Sequence, residues 1–86
     1  MKVIWSDEAL EQLEFWKRNN PQIIKRIQLL IDNIILTPCT GKGKPEPLKY
    51  NLSGFWSRRI DNEHRLVYSF NKKTQIIEIE SCKGHY

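Results

Sequence analysis

The chain holds only two cysteines in 86 residues, Cys39 and Cys82, with no CxxC and no paired His/Cys spacing. That scarcity excludes a disulfide scaffold of the secreted kind and a closed zinc site, because both need several ligands at short spacings. It points to a cytoplasmic protein with both thiols reduced. Long hydrophobic runs are missing too, and no stretch approaches the roughly 18 apolar residues of a membrane span. The opening MKVIWSDEAL soon turns acidic and does not read as a secretory signal. Internal repeats and low-complexity tracts are absent. Glycine and proline are scarce, at four each, and unevenly spread. Two of the glycines and three of the prolines fall in PCTGKGKPEP, residues 38–47, which therefore cannot be regular structure.

What is present describes a small globule. A hydrophobic content of 40% and a charged content of 28% suit one domain, residues 1–86, near the lower limit for independent folding. Lys and Arg total 14 against 10 Asp and Glu, a net charge of +4 that favours encounter with polyanions. Residues 6–14 carry Asp7, Glu8, Glu11 and Glu14 and no basic side chain. Residues 42–73 carry Lys42, Lys44, Lys49, Arg58, Arg59, Arg65, Lys72 and Lys73, so the positive charge belongs to the second half.

Met1 to Trp5 is a short β-type run. Ser6 follows as an N-cap, with Asp7 and Glu8 in the first turn where the helix dipole favours negative charge. Leu10, Leu13 and Trp16 or Phe15 give helical spacing as far as Asn19-Asn20, and Asn20-Pro21 opens a second helix as N-cap and N1. Ile23, Ile24, Ile27, Leu30, Ile31, Ile34 and Ile35 form one wide apolar stripe on it, which Thr37-Pro38 closes. Strands are predicted at 48–52, 55–60, 64–70 and 75–81, with turns at Asp61–Glu63 and Asn71–Thr74. The order is β-α-α-β-β-β with room for one further strand. It specifies an α+β fold, with two N-terminal helices packed on one face of a twisted antiparallel β-sheet. The opposite face is left partly open, and function is to be sought there.

If Asp61–Glu63 form a three-residue loop, Arg59 sits directly across from Arg65 with both guanidinium groups on one face, whereas a two-residue loop would shift the pairing by one. Like charges facing each other across a ladder call for an anion between them. That anion is either a protein carboxylate such as Glu63 or a phosphate, which suits the planar fork of Arg. Glu46 sits between Pro45 and Pro47, so its backbone is stiff and extended, and Lys42, Lys44 and Lys49 surround it with positive charge. The chain ends in Gly84-His85-Tyr86, leaving an interior strand. His85 is suited to giving a proton near neutral pH, and Tyr86 offers a face on which an unpaired base can stack. His64 reads as structural, and Trp5, Trp16 and Trp56 as core. Base, acid and paired guanidiniums together are what cleavage of RNA by its own 2′-hydroxyl requires, and no metal or cofactor is called for.

The segment GKGKPEPLKYNLSGFWSRRIDNEHRLVY, Gly41 to Tyr68, resembles the signature of the YoeB (Txe) branch of the RelE/ParE toxin superfamily. The opening KVIWSDEAL and the closing His85-Tyr86 resemble it as well, so the likeness spans essentially the whole chain. The resemblance implies a RelE-like fold and a toxin of a type II toxin–antitoxin system. It also implies an endoribonuclease that cuts mRNA in the ribosomal A site, a YefM/Phd-type antitoxin as partner, and a homodimer. By the same resemblance Glu46 is the general base, His85 the general acid and Arg65 the transition-state arginine, and Tyr86 positions the RNA. Arg59, Lys49 and Lys44 look like supporting phosphate contacts, and Glu63 resembles an acidic residue that orients an Arg or His. Gly84 departs from the pattern, standing where several relatives place an aromatic residue. Two other functions compete: a gyrase-poisoning toxin of the ParE kind, and a non-catalytic RNA-binding module.

Overall fold

The computed structural model describes residues 1–84. Its elements are β1 (Lys2–Trp5), α1 (Asp7–Asn19), α2 (Pro21–Leu36), β2 (Glu46–Pro47), a 3-10 turn (Tyr50–Leu52), β3 (Trp56–Arg59), β4 (Arg65–Asn71) and β5 (Ile76–Ser81). The strands form one sheet in the order β1-β5-β4-β3-β2. Neighbours from β2 to β5 are antiparallel. β1 lies parallel to β5, with Val3 beside Ile77 and Trp5 beside Ile79, so the sheet is mixed and not wholly antiparallel as the sequence predicts. No hairpin joins these two strands, and the junction with α1 sets their relation instead. Ser6 N–H donates to the Ile79 carbonyl at 2.9 Å and Ser6 Oγ donates to the Glu80 carbonyl at 2.7 Å. The same Oγ accepts the Ala9 N–H at 3.0 Å, the N-cap that the sequence predicts.

The predicted strand at 48–52 is not formed. Its place is taken by the two residues of β2, paired Glu46 to Ser57 and Pro47 to Trp56, and by the 3-10 turn beyond them. Proline has no N–H to extend a ladder, and Pro45 and Pro47 hold the strand to this minimum. Asn20 bonds through its main chain, its N–H reaching the Trp16 carbonyl at 2.8 Å, and makes no side-chain cap; Pro21 opens α2.

The core lies between the helix pair and one face of the sheet. Ile23, Ile27, Leu30, Ile31 and Ile34 of α2 are buried against Leu66, Tyr68, Ile77 and Ile79. On α1 the inward stripe is Ala9, Leu13 and Trp16, at spacings of four and three, and Leu10 beside it is 47% exposed. A bulge between Val67 and Tyr68 inserts Glu80 in the facing strand and keeps Ile77 and Ile79 on the helix side. Both cysteines are free, Cys39 exposed and Cys82 buried beneath α1. Burial pushes the Cys82 thiol up to about 11.

Ile27→Ala should cost about 2–5 kcal/mol by cavity formation, whereas Leu10→Lys should stay within about 0.5 kcal/mol; urea unfolding reads both. A thiol reagent near neutral pH should label Cys39 at once and Cys82 only on unfolding. Because the raised Cys82 pKa means that the folded state holds its proton longer, stability should fall as pH climbs from 9.0 towards 11.

Candidate active site

The hairpin between β3 and β4 closes as the sequence predicts. Ile60 N–H donates to the His64 carbonyl at 2.9 Å, and Arg59 stands directly opposite Arg65. Asp61 Oδ1 makes the loop by accepting the N–H groups of Glu63 at 2.8 Å and His64 at 2.7 Å. Strand alternation then collects Glu46, Ser57, Arg59 and Arg65 on the face away from the helices. Arg65 Nε donates to Ser57 Oγ at 2.9 Å, and its Nη2 lies 3.9 Å from Glu46 Oε2. Among the described residues that Nη2 is buried with no hydrogen-bond partner. A guanidinium nitrogen sealed from water with an open donor is costly, and an oxyanion would satisfy it. Glu63 Oε2 lies 2.9 Å from His64 Nε2. Arg59 is exposed, so it and Arg65 differ in setting although they share a face.

Glu46 reaches this face because the loop before it is tied down by Arg58, whose side chain is fully buried on the helix side. Its Nη1 donates to Asn33 Oδ1 at 2.6 Å and to the Lys42 carbonyl at 3.0 Å. Its Nη2 donates to the carbonyls of Thr37 at 2.6 Å and Thr40 at 2.8 Å, and Nε donates to Tyr68 Oη at 3.0 Å. Tyr68 Oη donates onward to the Pro38 carbonyl at 2.6 Å, and burial raises its pKa against the opposing pull of Arg58. The main chain adds Arg59 N–H to the Gly43 carbonyl at 2.6 Å. A Cβ on Gly43, at φ +82°, would fall 2.9 Å from Leu30 and 3.0 Å from the Arg59 carbonyl, so glycine is required there. Nothing in the sequence separates this buried arginine from its exposed neighbour Arg59.

Lys44, at φ 51°, and Lys49, just before the 3-10 turn, are both exposed on the segments flanking Glu46. Cys82 and Gly84, beyond β5, are pinned. Cys82 N–H donates to Gln12 Oε1 at 2.6 Å, and the Cys82 carbonyl accepts Trp16 Nε1–H at 3.0 Å. Gly84 N–H donates to His64 Nδ1 at 2.9 Å, while Arg65 N–H donates to the Gly84 carbonyl at 2.8 Å. His85 and Tyr86, the predicted acid and stacking residue, lie outside the described residues. Among the described residues no group of three or more His, Cys, Asp or Glu side chains could hold a metal ion. No helix among them is long and apolar enough to cross a membrane. A surface cleft lined by Ser69, Phe70, Asn71, Thr74, Ile76 and Glu78 contains none of these site residues.

Two helices on one face of a five-stranded mixed sheet, with an acid–guanidinium cluster on the other, match the RelE-like toxin fold. The family model described as "YoeB-like toxin of bacterial type II toxin-antitoxin system" matches residues 5–86, and the chain belongs to that family. It is 50% identical to Toxin YoeB of Escherichia coli strain K12 over 86 residues, covering 100% of both chains. A YoeB/ParE toxin from Agrobacterium tumefaciens superposes with a TM-score of 0.96 at 43% identity, again covering 100% of both. YoeB of Staphylococcus aureus, in a heterotetrameric YoeB–YefM complex, superposes with a TM-score of 0.89 at 40% identity, covering 100% of this chain and 98% of that one.

Arg58→Met removes all five hydrogen bonds donated by the buried guanidinium, and it should destabilise the fold by roughly 3 kcal/mol or more. Arg58→Lys should recover little, since an ammonium cannot reproduce the planar fork. Denaturant midpoints of the two variants check this.

Proposed function

We propose that the chain is a ribosome-dependent endoribonuclease that cuts mRNA in the A site by metal-free acid–base chemistry. The observation that carries this reading is Arg65 Nη2, buried without a hydrogen-bond partner among the described residues, beside Glu46 and across from Arg59. A scissile phosphate placed there would satisfy the open donor. Glu46 then takes the proton of the 2′-hydroxyl, whose oxygen attacks phosphorus. Arg65, with Arg59, stabilises the charge that gathers on the phosphorane, and Lys49 and Lys44 hold neighbouring phosphates. His85 protonates the departing 5′-oxygen, leaving a 2′,3′-cyclic phosphate, and Tyr86 stacks on a base to align the strand. Glu63 fixes the His64 ring, to which it is bonded.

Membership in a toxin–antitoxin family, together with relatives solved as a YoeB–YefM complex and as a YoeB dimer, supports a YefM-type antitoxin and a homodimer for this chain too. With ribosomes as the target, it acts in the cytoplasm.

Purified chain added to programmed ribosomes should cut the message in the A-site codon. Glu46→Ala and His85→Gln should each slow cleavage roughly 10²-fold, the scale of losing a base or an acid. Full-rate cutting by the double variant, or arrest of replication with translation intact, would overturn the reading.

A further inference from the structure

We propose that His64 is a positioning residue for proton donation by His85, acting through the hydrogen bond by which it holds the Gly84 peptide that precedes His85 in the chain. The proposal rests on the acid–base reading above. The His64 side chain is 13% exposed and fixed from three directions. Its ring meets Trp16 edge-on, with centroids 4.7 Å apart, and its Nε2 lies 2.9 Å from Glu63 Oε2. Its Nδ1 accepts the Gly84 N–H at 2.9 Å. With Nδ1 accepting from Gly84 and Nε2 facing the Glu63 carboxylate, both ring nitrogens are engaged.

The clamp on Gly84 is two-sided. Its N–H is held by His64 and its carbonyl by the Arg65 N–H at 2.8 Å, so the first two residues of β4's approach grip one glycine. Gly84 takes φ +87°, and a Cβ there would meet nothing within 4 Å. Backbone angle, and not crowding, is what favours glycine. Gly84 is joined directly to the proposed proton donor, so the restraint on its peptide is the restraint nearest to that donor in the chain. Chain ends fray unless tied down, and here the tie comes from a side chain whose neighbour, Arg65, faces the scissile phosphate. Removing it should harm the step in which the P–O5′ bond breaks and the His85 proton passes to that oxygen, and leave RNA binding alone.

The test compares His64→Asn, whose carboxamide can place an acceptor near the Nδ1 position, with His64→Gln, whose carboxamide reaches the Nε2 position instead. Both are assayed on ribosomes programmed with a normal message and with one carrying a single 5′-phosphorothiolate at the cut site, where the sulfur leaves without needing a proton. On the normal linkage His64→Gln should lose about tenfold in kcat with KM unchanged, part of what a whole acid contributes, and His64→Asn should stay within about threefold. On the sulfur linkage His64→Gln should match the parent. A His64→Gln defect of equal size on both linkages would make the residue merely structural, and no defect on either would make the clamp idle. His85→Gln runs alongside as the control for the underlying reading. If it cuts the normal linkage at full rate, the acid–base chemistry itself fails, an outcome distinct from failure of the clamp alone.

Discussion

The buried guanidinium of Arg58 is the interaction on which the arrangement of the site depends. It sits in the interior with no carboxylate in ion-pair range among the described residues, and its charge is met by carbonyls of Thr37, Thr40 and Lys42, by Asn33 and by Tyr68. A buried cation is costly unless its donors are satisfied, and all five donors are used here. Three of the partners cluster where α2 ends, the negative pole of the helix dipole. One side chain on β3 thereby ties together a helix end, an irregular loop and β4. Glu46 follows that loop, so its position over the sheet is inherited from a residue on the sheet's opposite face.

The face that carries Glu46 is built against simple stability. Arg59 and Arg65 oppose each other across the ladder, which disfavours the pairing. The Asx turn at Asp61 holds the register against that repulsion, and a slip of one residue would carry an arginine to the other face. Ser57 restrains Arg65 through Nε and leaves Nη2 open, while the Glu46 carboxylate stays at ion-pair distance without a direct hydrogen bond. Local rules broken without compensation inside the fold are expected where a ligand supplies the compensation.

The sequence made some of this legible and hid the rest for physical reasons. The α2 stripe and the hairpin register could be read because each rests on short-range spacing and turn chemistry. Leu10 misled because one helical position separates it from Ala9, and a small residue can line a core as well as a large one. The parallel β1–β5 pairing is invisible locally, since its partners are more than seventy residues apart. The pair Arg58-Arg59 shows the sharpest limit. Alternation says that the two face opposite ways, but arginine is rarely buried outright, and no pattern tells which one is. The contact between His64 and Gly84 is hidden for a related reason: its partners lie twenty residues apart.

The proposed base and acid come from distant parts of the chain, yet both are referred to one hairpin. Arg58 at the end of β3 fixes the loop that delivers Glu46, and His64 with Arg65 at the start of β4 fixes the peptide that precedes His85. Between those anchors lie Arg59, Ile60 and the Asx turn. Any distortion of the hairpin would move the loop before Glu46, the facing arginines and the Gly84 peptide together, which keeps them in register far better than three independent loops could. A core this small has little stability to spend on separate supports, and a single shared frame is the arrangement that a domain of this size can sustain.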